Sequence, residues 1–74
     1  MKPIELSVCD TVRLRADVPT LWLRRGEVGV VRSRWFAPTV ACEVEFHPNG
    51  QPVGVRALLF PEQLEVVDPC RRSS

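Results

Sequence analysis

The stretch Arg24-Arg25-Gly26-Glu27-Val28-Gly29-Val30-Val31 constrains the fold more than any other part of the chain. Gly26 can turn the backbone, because a residue without Cβ tolerates positive φ. Gly29 lies three residues on, inside a Val-rich run, where glycine marks a bulge or a tight bend in a strand. Val favours extended backbone. The spacing therefore predicts a strand from about Glu27 to Trp35 with an irregularity at Gly29. Beyond it, Val31, Ser33 and Trp35 should share one face, and Val30, Arg32 and Arg34 the other.

Other segments alternate with the same period of two. From about Asp10 to Ala16, Val12, Leu14 and Ala16 face one way and Thr11, Arg13 and Arg15 the other. From Ala41 to His47, Cys42, Val44 and Phe46 point inward while Glu43, Glu45 and His47 point out. A fourth strand should span about Val53 to Phe60, and Leu64 to Val67 a short fifth. The connection from Asp17 to Gly26, broken by Pro19, is too long for a tight hairpin turn. Phe36-Ala37-Pro38-Thr39 reads as a loop, and Pro48-Asn49-Gly50-Gln51 as a turn suited to positive φ. Pro61-Glu62-Gln63 reads as one 3₁₀ turn. No helix of useful length can be drawn. These features predict an all-β chain: a small five-stranded SH3-like barrel with a 3₁₀ turn before the last strand. Curling the sheet closed would also remove exposed edges. The expected layout is a lead-in over 1–9, the barrel over 10–68 and a disordered basic tail over 69–74. In the lead-in, Ile4, Leu6 and Val8 alternate, so part of it should lie against the barrel.

With 74 residues, one small domain is all the chain can form. Its net charge of +1 argues against wholesale electrostatic capture of nucleic acid or membrane. The charge is uneven: residues 13–34 carry six Arg against Asp17 and Glu27, and residues 43–68 carry five carboxylates against Arg56. Cys9, Cys42 and Cys70 are odd in number and far apart, which predicts neither a disulfide framework nor a zinc site. A reduced, cytoplasmic setting is the simpler expectation. Met1 to Glu5 contain no apolar core of a signal peptide, and no apolar run approaches the length of a membrane span.

The order of strand, Asp17-Val18-Pro19, Leu23 to Val31, Glu43-Val44-Glu45-Phe46 and Gln63-Leu64 resembles a family of small bacterial proteins known as a domain of unknown function. The resemblance runs from about Asp10 to Val67. The outline is also similar to other SH3-like barrels: the PsaE-type subunit of the photosystem I reaction centre, the β subunit of nitrile hydratase, and KOW-type ribosomal and transcription modules. These resemblances imply an accessory domain that docks on something larger. No cofactor is expected. Leu21 and Trp22 depart from the polar residues the resemblance implies at those positions, which points to a buried or partner-covered loop. Fold likeness alone says little about function.

Catalysis finds few groups to work with. The chain has one His and no Tyr. Glu43, Glu45 and His47 project together from one strand face, but a solvated face explains them without a metal, which would need further ligands. Cys42 points inward as a small hydrophobe. Arg71 and Arg72 could activate the Cys70 thiol, yet no His base is near it in sequence.

Two binding readings remain. Arg13, Arg15, Arg32 and Arg34, with Trp22 and Trp35 nearby, could form a phosphate-and-stacking surface for RNA or DNA. Against that, Arg32 and Arg34 should face Glu43 and Glu45 across the sheet and lose their free charge. The preferred reading is a protein interface. The long first loop, the loop after the second strand and the 3₁₀ turn should gather Leu21, Trp22, Trp35, Phe36 and Phe60 on one side, with Arg24, Arg25 and Arg34 at its rim. If Arg56 faces solvent, Leu58 and Phe60 should too. An exposed apolar patch on so small a domain marks an interface, and Trp and Arg are enriched in binding hot spots. The competing explanation is that these side chains plug the barrel ends. The expected partner is a larger protein or complex, with this chain as one subunit of a hetero-oligomer.

Overall fold

The computed structural model describes residues 6–36 and 39–70. Five antiparallel strands form one sheet: β1 (Thr11–Leu14), β2 (Val28–Trp35), β3 (Ala41–Phe46), β4 (Val55–Leu59) and β5 (Leu64–Asp68), in the order β4-β3-β2-β1-β5. A 3₁₀ turn at Pro61–Gln63 leads directly into β5, as expected. Its start is fastened by the side chain of Gln63, whose Oε1 accepts the Phe60 N–H at 2.9 Å. No α-helix occurs among the described residues.

Alternation does the work of folding. Val12, Leu14, Val31, Val44, Phe46, Leu59 and Leu64 bury their side chains on one face of the curled sheet. Cys42 and Ala57 fill the narrower places between them. Leu6 of the lead-in and Leu23 of the first loop complete this core, each almost wholly buried. Ile4 and the rest of residues 1–5 lie outside the described residues.

Three findings differ from expectation. The irregularity of β2 is not at Gly29. Gly29 pairs in register with Val12 and Phe46, whereas the β2–β3 register shifts between Val31 and Ser33. Arg32 is the extra residue. Past it the faces exchange: Ser33 stands opposite Glu43 and donates its hydroxyl to Oε1 at 2.9 Å, while Arg34 pairs with Cys42 on the inward side. Arg34 therefore does not share the outer face with Arg32.

Secondly, β4 and β5 stand at the two ends of the strand order, and no ladder joins them among the described residues. The sheet is curled rather than sealed.

Thirdly, Cys9 and Cys70 form a disulfide with Cα atoms 5.5 Å apart. The expectation from cysteine counting fails because pairing distance is set by strand register, not by sequence spacing. Thr11 pairs with Asp68, and two residues outward from that pair the antiparallel ladder reaches Cys9 on one side and Cys70 on the other. Asp10, the one buried charged residue described, holds the same corner: its carboxylate accepts Ser7 N–H at 2.9 Å and Cys70 N–H at 2.8 Å. Cys70, assigned from sequence to the tail, is thus tied to the lead-in, and residues 71–74 lie outside the described residues.

Candidate functional site

The first loop is a built structure. Val18 and Leu23 form an isolated antiparallel bridge, with Val18 N–H donating to Leu23 O at 2.8 Å and Leu23 N–H returning to Val18 O at 3.2 Å. Between them Pro19–Leu21 makes a 3₁₀ turn, for which Pro19 pre-sets φ. Leu21 packs partly against the core and Leu23 is buried in it. Two inward leucines leave Trp22, the residue between them, only the outward direction. Trp22 is 90% exposed and sits in the left-handed region at φ 58°.

Two carboxylates pin the return of the loop. Asp17 Oδ1 accepts the Arg25 backbone N–H at 2.7 Å, and Glu27 Oε2 accepts that of Arg24 at 2.6 Å. Gly26, at φ +93°, then turns the chain into β2. A cleft of about 270 Å³ is lined by Trp22 together with Asp17, Pro19, Leu23 and Arg24. A wider one of about 510 Å³ lies between Trp22, Arg24, Glu27 and Pro48 of the β3–β4 connection.

The remaining candidate residues are elsewhere. Trp35 ends β2 and Phe36 follows it, some 23 Å of strand from Val28 at about 3.3 Å per residue. There Trp35 pairs with Ala41, and the β3–β4 register carried one step past Cys42–Leu59 places Phe60 on Ala41's other side. Leu58 (62% exposed) and Phe60 thus lie on the outer face, as alternation from Arg56 implied, and Trp35 (51%) joins them there instead of sharing the face of buried Val31, because of the slip at Arg32. The Arg34 guanidinium lies over the Phe36 ring, 4.9 Å from its centre. The sequence-predicted set is therefore two surfaces at opposite ends of β2. One holds Leu21, Trp22, Arg24 and Arg25. The other holds Arg34, Trp35, Phe36 and Phe60.

The outward arginines are largely spoken for. Arg13 pairs with Glu65, Arg32 with Glu45 at 2.9 Å, and Arg15 Nε donates to Leu64 O at 3.0 Å. Arg13 and Arg32 of the basic first half are thus matched by Glu65 and Glu45 of the acidic second half across the ladders. Arg24 and Arg25 are different: their guanidinium groups make no ion pair or hydrogen bond among the described residues.

Glu43, Glu45 and His47 do stand on one face, but they are engaged. Glu45 Oε2 lies 3.1 Å from His47 Nε2, and the Arg56 guanidinium is 3.7 Å from both Glu43 and Glu45. The Arg32 hydrogen bond holds the Glu45 carboxyl below the usual carboxylate range, with the charges of Arg32, Arg56 and His47 adding to it. Because the folded value is depressed, the associated stability is present above the unfolded pKa and lost as pH falls through the folded one. In Arg32→Gln, the Glu45 carboxyl should titrate at a higher pH than in the wild type. Side-chain carbon chemical shifts followed against pH read this directly, and an unmoved midpoint would show that the Arg32 bond is not its cause. Burial pushes the Cys42 thiol up, against a smaller opposing pull from Arg34, which favours the neutral thiol packed in the core.

The fold and surface describe a small all-β domain whose most elaborated feature is a braced aromatic tip. The chain belongs to the family described as domain of unknown function (DUF4926), whose model matches residues 8–66. Neither the curated proteins nor the solved structures provide a match.

Proposed function

We propose that this chain is a non-catalytic, SH3-like binding module, an accessory or adaptor subunit that docks on a larger protein with Trp22 as its anchor. The observation that supports the reading is the state of Trp22 itself. A bulky residue in the left-handed region costs roughly 1 kcal/mol of backbone energy, and at 90% exposure it recovers almost nothing by burial. Glycine or asparagine would suit that φ better. Strain kept at an exposed aromatic is the pattern of a site held for contact. Trp supplies much apolar area with few rotors to freeze, and Arg24 and Arg25 beside it would orient an incoming partner and speed encounter. Leu21 serves from beneath as part of the support. Arg34, Trp35, Phe36 and Phe60 offer a second, separate contact area.

The opposing reading, RNA or DNA binding through Arg13, Arg15, Arg32 and Arg34, loses ground with the pairing described above. Arg13 and Arg32 are matched to carboxylates, and Arg34 lies at the inward end over Phe36.

Trp22→Gly separates contact from architecture. Relief at φ 58° and the looser unfolded chain oppose each other, so stability should change by less than about 1 kcal/mol. Proteins retained by the wild type from native extract should no longer be retained. A variant that unfolds many degrees earlier would make Trp22 structural, and one that keeps every partner would place the interface elsewhere.

A further inference from the structure

We infer that the Trp22 tip receives a short acidic segment of its partner, an extended stretch of chain with an apolar residue flanked by carboxylates. The inference rests on the docking role of Trp22 and adds the chemistry of what docks. Its basis is the difference between the arginines of this molecule. Arg13, Arg32 and Arg56 on the sheet face carboxylates of their own chain, whereas the guanidinium groups of Arg24 and Arg25 have no such partner among the described residues and stand on a turn that is itself pinned. Asp17 and Glu27 do not neutralise them by contact, because the recorded bonds of those carboxylates go to backbone N–H groups. A carboxylate from outside would meet a planar donor fork that needs no rearrangement of the loop.

The two clefts set the form of the ligand. Both are lined by Trp22 and Arg24, so an extended chain lying over the indole would set one side chain in each. At about 270 and 510 Å³, each takes one or a few side chains and no folded element. The indole face wants an apolar residue at the crossing and the two arginines want acids beside it.

A polyphosphate backbone fits less well. Asp17 lines one cleft and Glu27 the other. A strand with a charge at every step would bring phosphates against both, while sparse carboxylates can avoid them.

The test uses the full-length wild type to select from a displayed library of random peptides, with Trp22→Gly as counter-selection. Selected peptides should be net acidic with an apolar residue between the acids. The Arg24→Gln, Arg25→Gln double variant should bind them about tenfold more weakly, and raising salt should weaken wild-type binding in the same direction. Peptides of neutral or basic composition, or no enrichment over Trp22→Gly, overturn the inference. So does equal binding by the double arginine variant. Tighter capture of a short oligothymidylate than of any selected peptide would turn the site over to nucleic acid. The two proposals fail separately. If Trp22→Gly loses native partners while the arginine variant keeps them, docking stands and the acidic chemistry falls. If Trp22→Gly keeps them, docking itself falls.

Discussion

Cys70→Ser should lower the unfolding free energy of the oxidised protein by about 4 kcal/mol and its melting temperature by roughly 20 °C. The size follows from the loop that the Cys9–Cys70 bond closes. The two residues are 61 apart in sequence, so the bond ties nearly the whole domain into one ring. Releasing it returns to the unfolded chain a loop-closure entropy worth about 4 kcal/mol at that length. A domain of this size has only about 4–11 kcal/mol in all. The folded state should change little, because the corner is held twice over. Asp10 still accepts the Ser7 and Cys70 N–H groups, and Cys9 N–H still donates to Val31 O at 2.8 Å. Calorimetry on wild type, Cys70→Ser and Cys9→Ser checks this, with wild type reduced by a dithiol as the fourth sample. All three disulfide-free forms should melt together, well below the oxidised wild type. Coincident melting of oxidised and reduced wild type would mean that the bond does not form in solution. Cys42, buried on β3, should react with thiol reagents only on unfolding in every case.

What sequence could and could not reveal divides along one physical line. Side-chain alternation is local, and it placed Val12, Leu14, Cys42, Val44 and Phe46 on the core face correctly. Register is not local. Period-two alternation says which residues share a face until the pairing slips, and it carries no sign of where the slip falls. The slip at Arg32 sent Ser33 to Glu43 and turned Arg34 inward. It thereby emptied half of the expected match of Arg32 and Arg34 with Glu43 and Glu45. The disulfide was hidden for the same reason. Counting outward along β1 and β5 finds it, but only once Thr11 is known to oppose Asp68. At the candidate site, the residue types were legible and the geometry was not. Apolar Leu21-Trp22-Leu23 beside Arg24-Arg25 singled out this loop as the candidate. That the leucines turn in and leave Trp22 alone depends on the Val18–Leu23 bridge, which adjacent residues do not encode. The single apolar side expected from loop clustering became two surfaces, because β2 is eight residues long and separates the loops at its ends.

Gly29→Ala should destabilise the protein by about 3 kcal/mol, although a single methyl group is added. Gly29 is buried at the crossing of three strands, paired with Val12 on β1 and Phe46 on β3. A Cβ built there lies 2.7 Å from the Glu45 carbonyl oxygen and 2.8 Å from both Phe46 Cδ1 and Val44 Cγ1. The carbonyl belongs to the β2–β3 ladder and cannot swing aside as a side chain would. Phe46 and Val44 are fully buried, so their displacement is passed on to the rest of the core. The requirement for glycine here is one of space, not of a left-handed backbone. Gly54 supplies the contrast. A Cβ there would also come close, at 2.6 Å to Glu45 Oε2, 2.9 Å to Glu45 Cγ and 3.0 Å to His47 Cε1, but all of these are side-chain atoms. Gly54→Ala should therefore cost about 1 kcal/mol, less than Gly29→Ala, since side-chain atoms can shift where a ladder carbonyl cannot, at the expense of the Glu45 contacts with Arg32 and His47. Urea unfolding of both variants at equal m-value makes the comparison. Equal losses at the two sites would mean that β2 can separate from β3 freely at Gly29. The tight three-strand crossing would then not be what fixes glycine at this position.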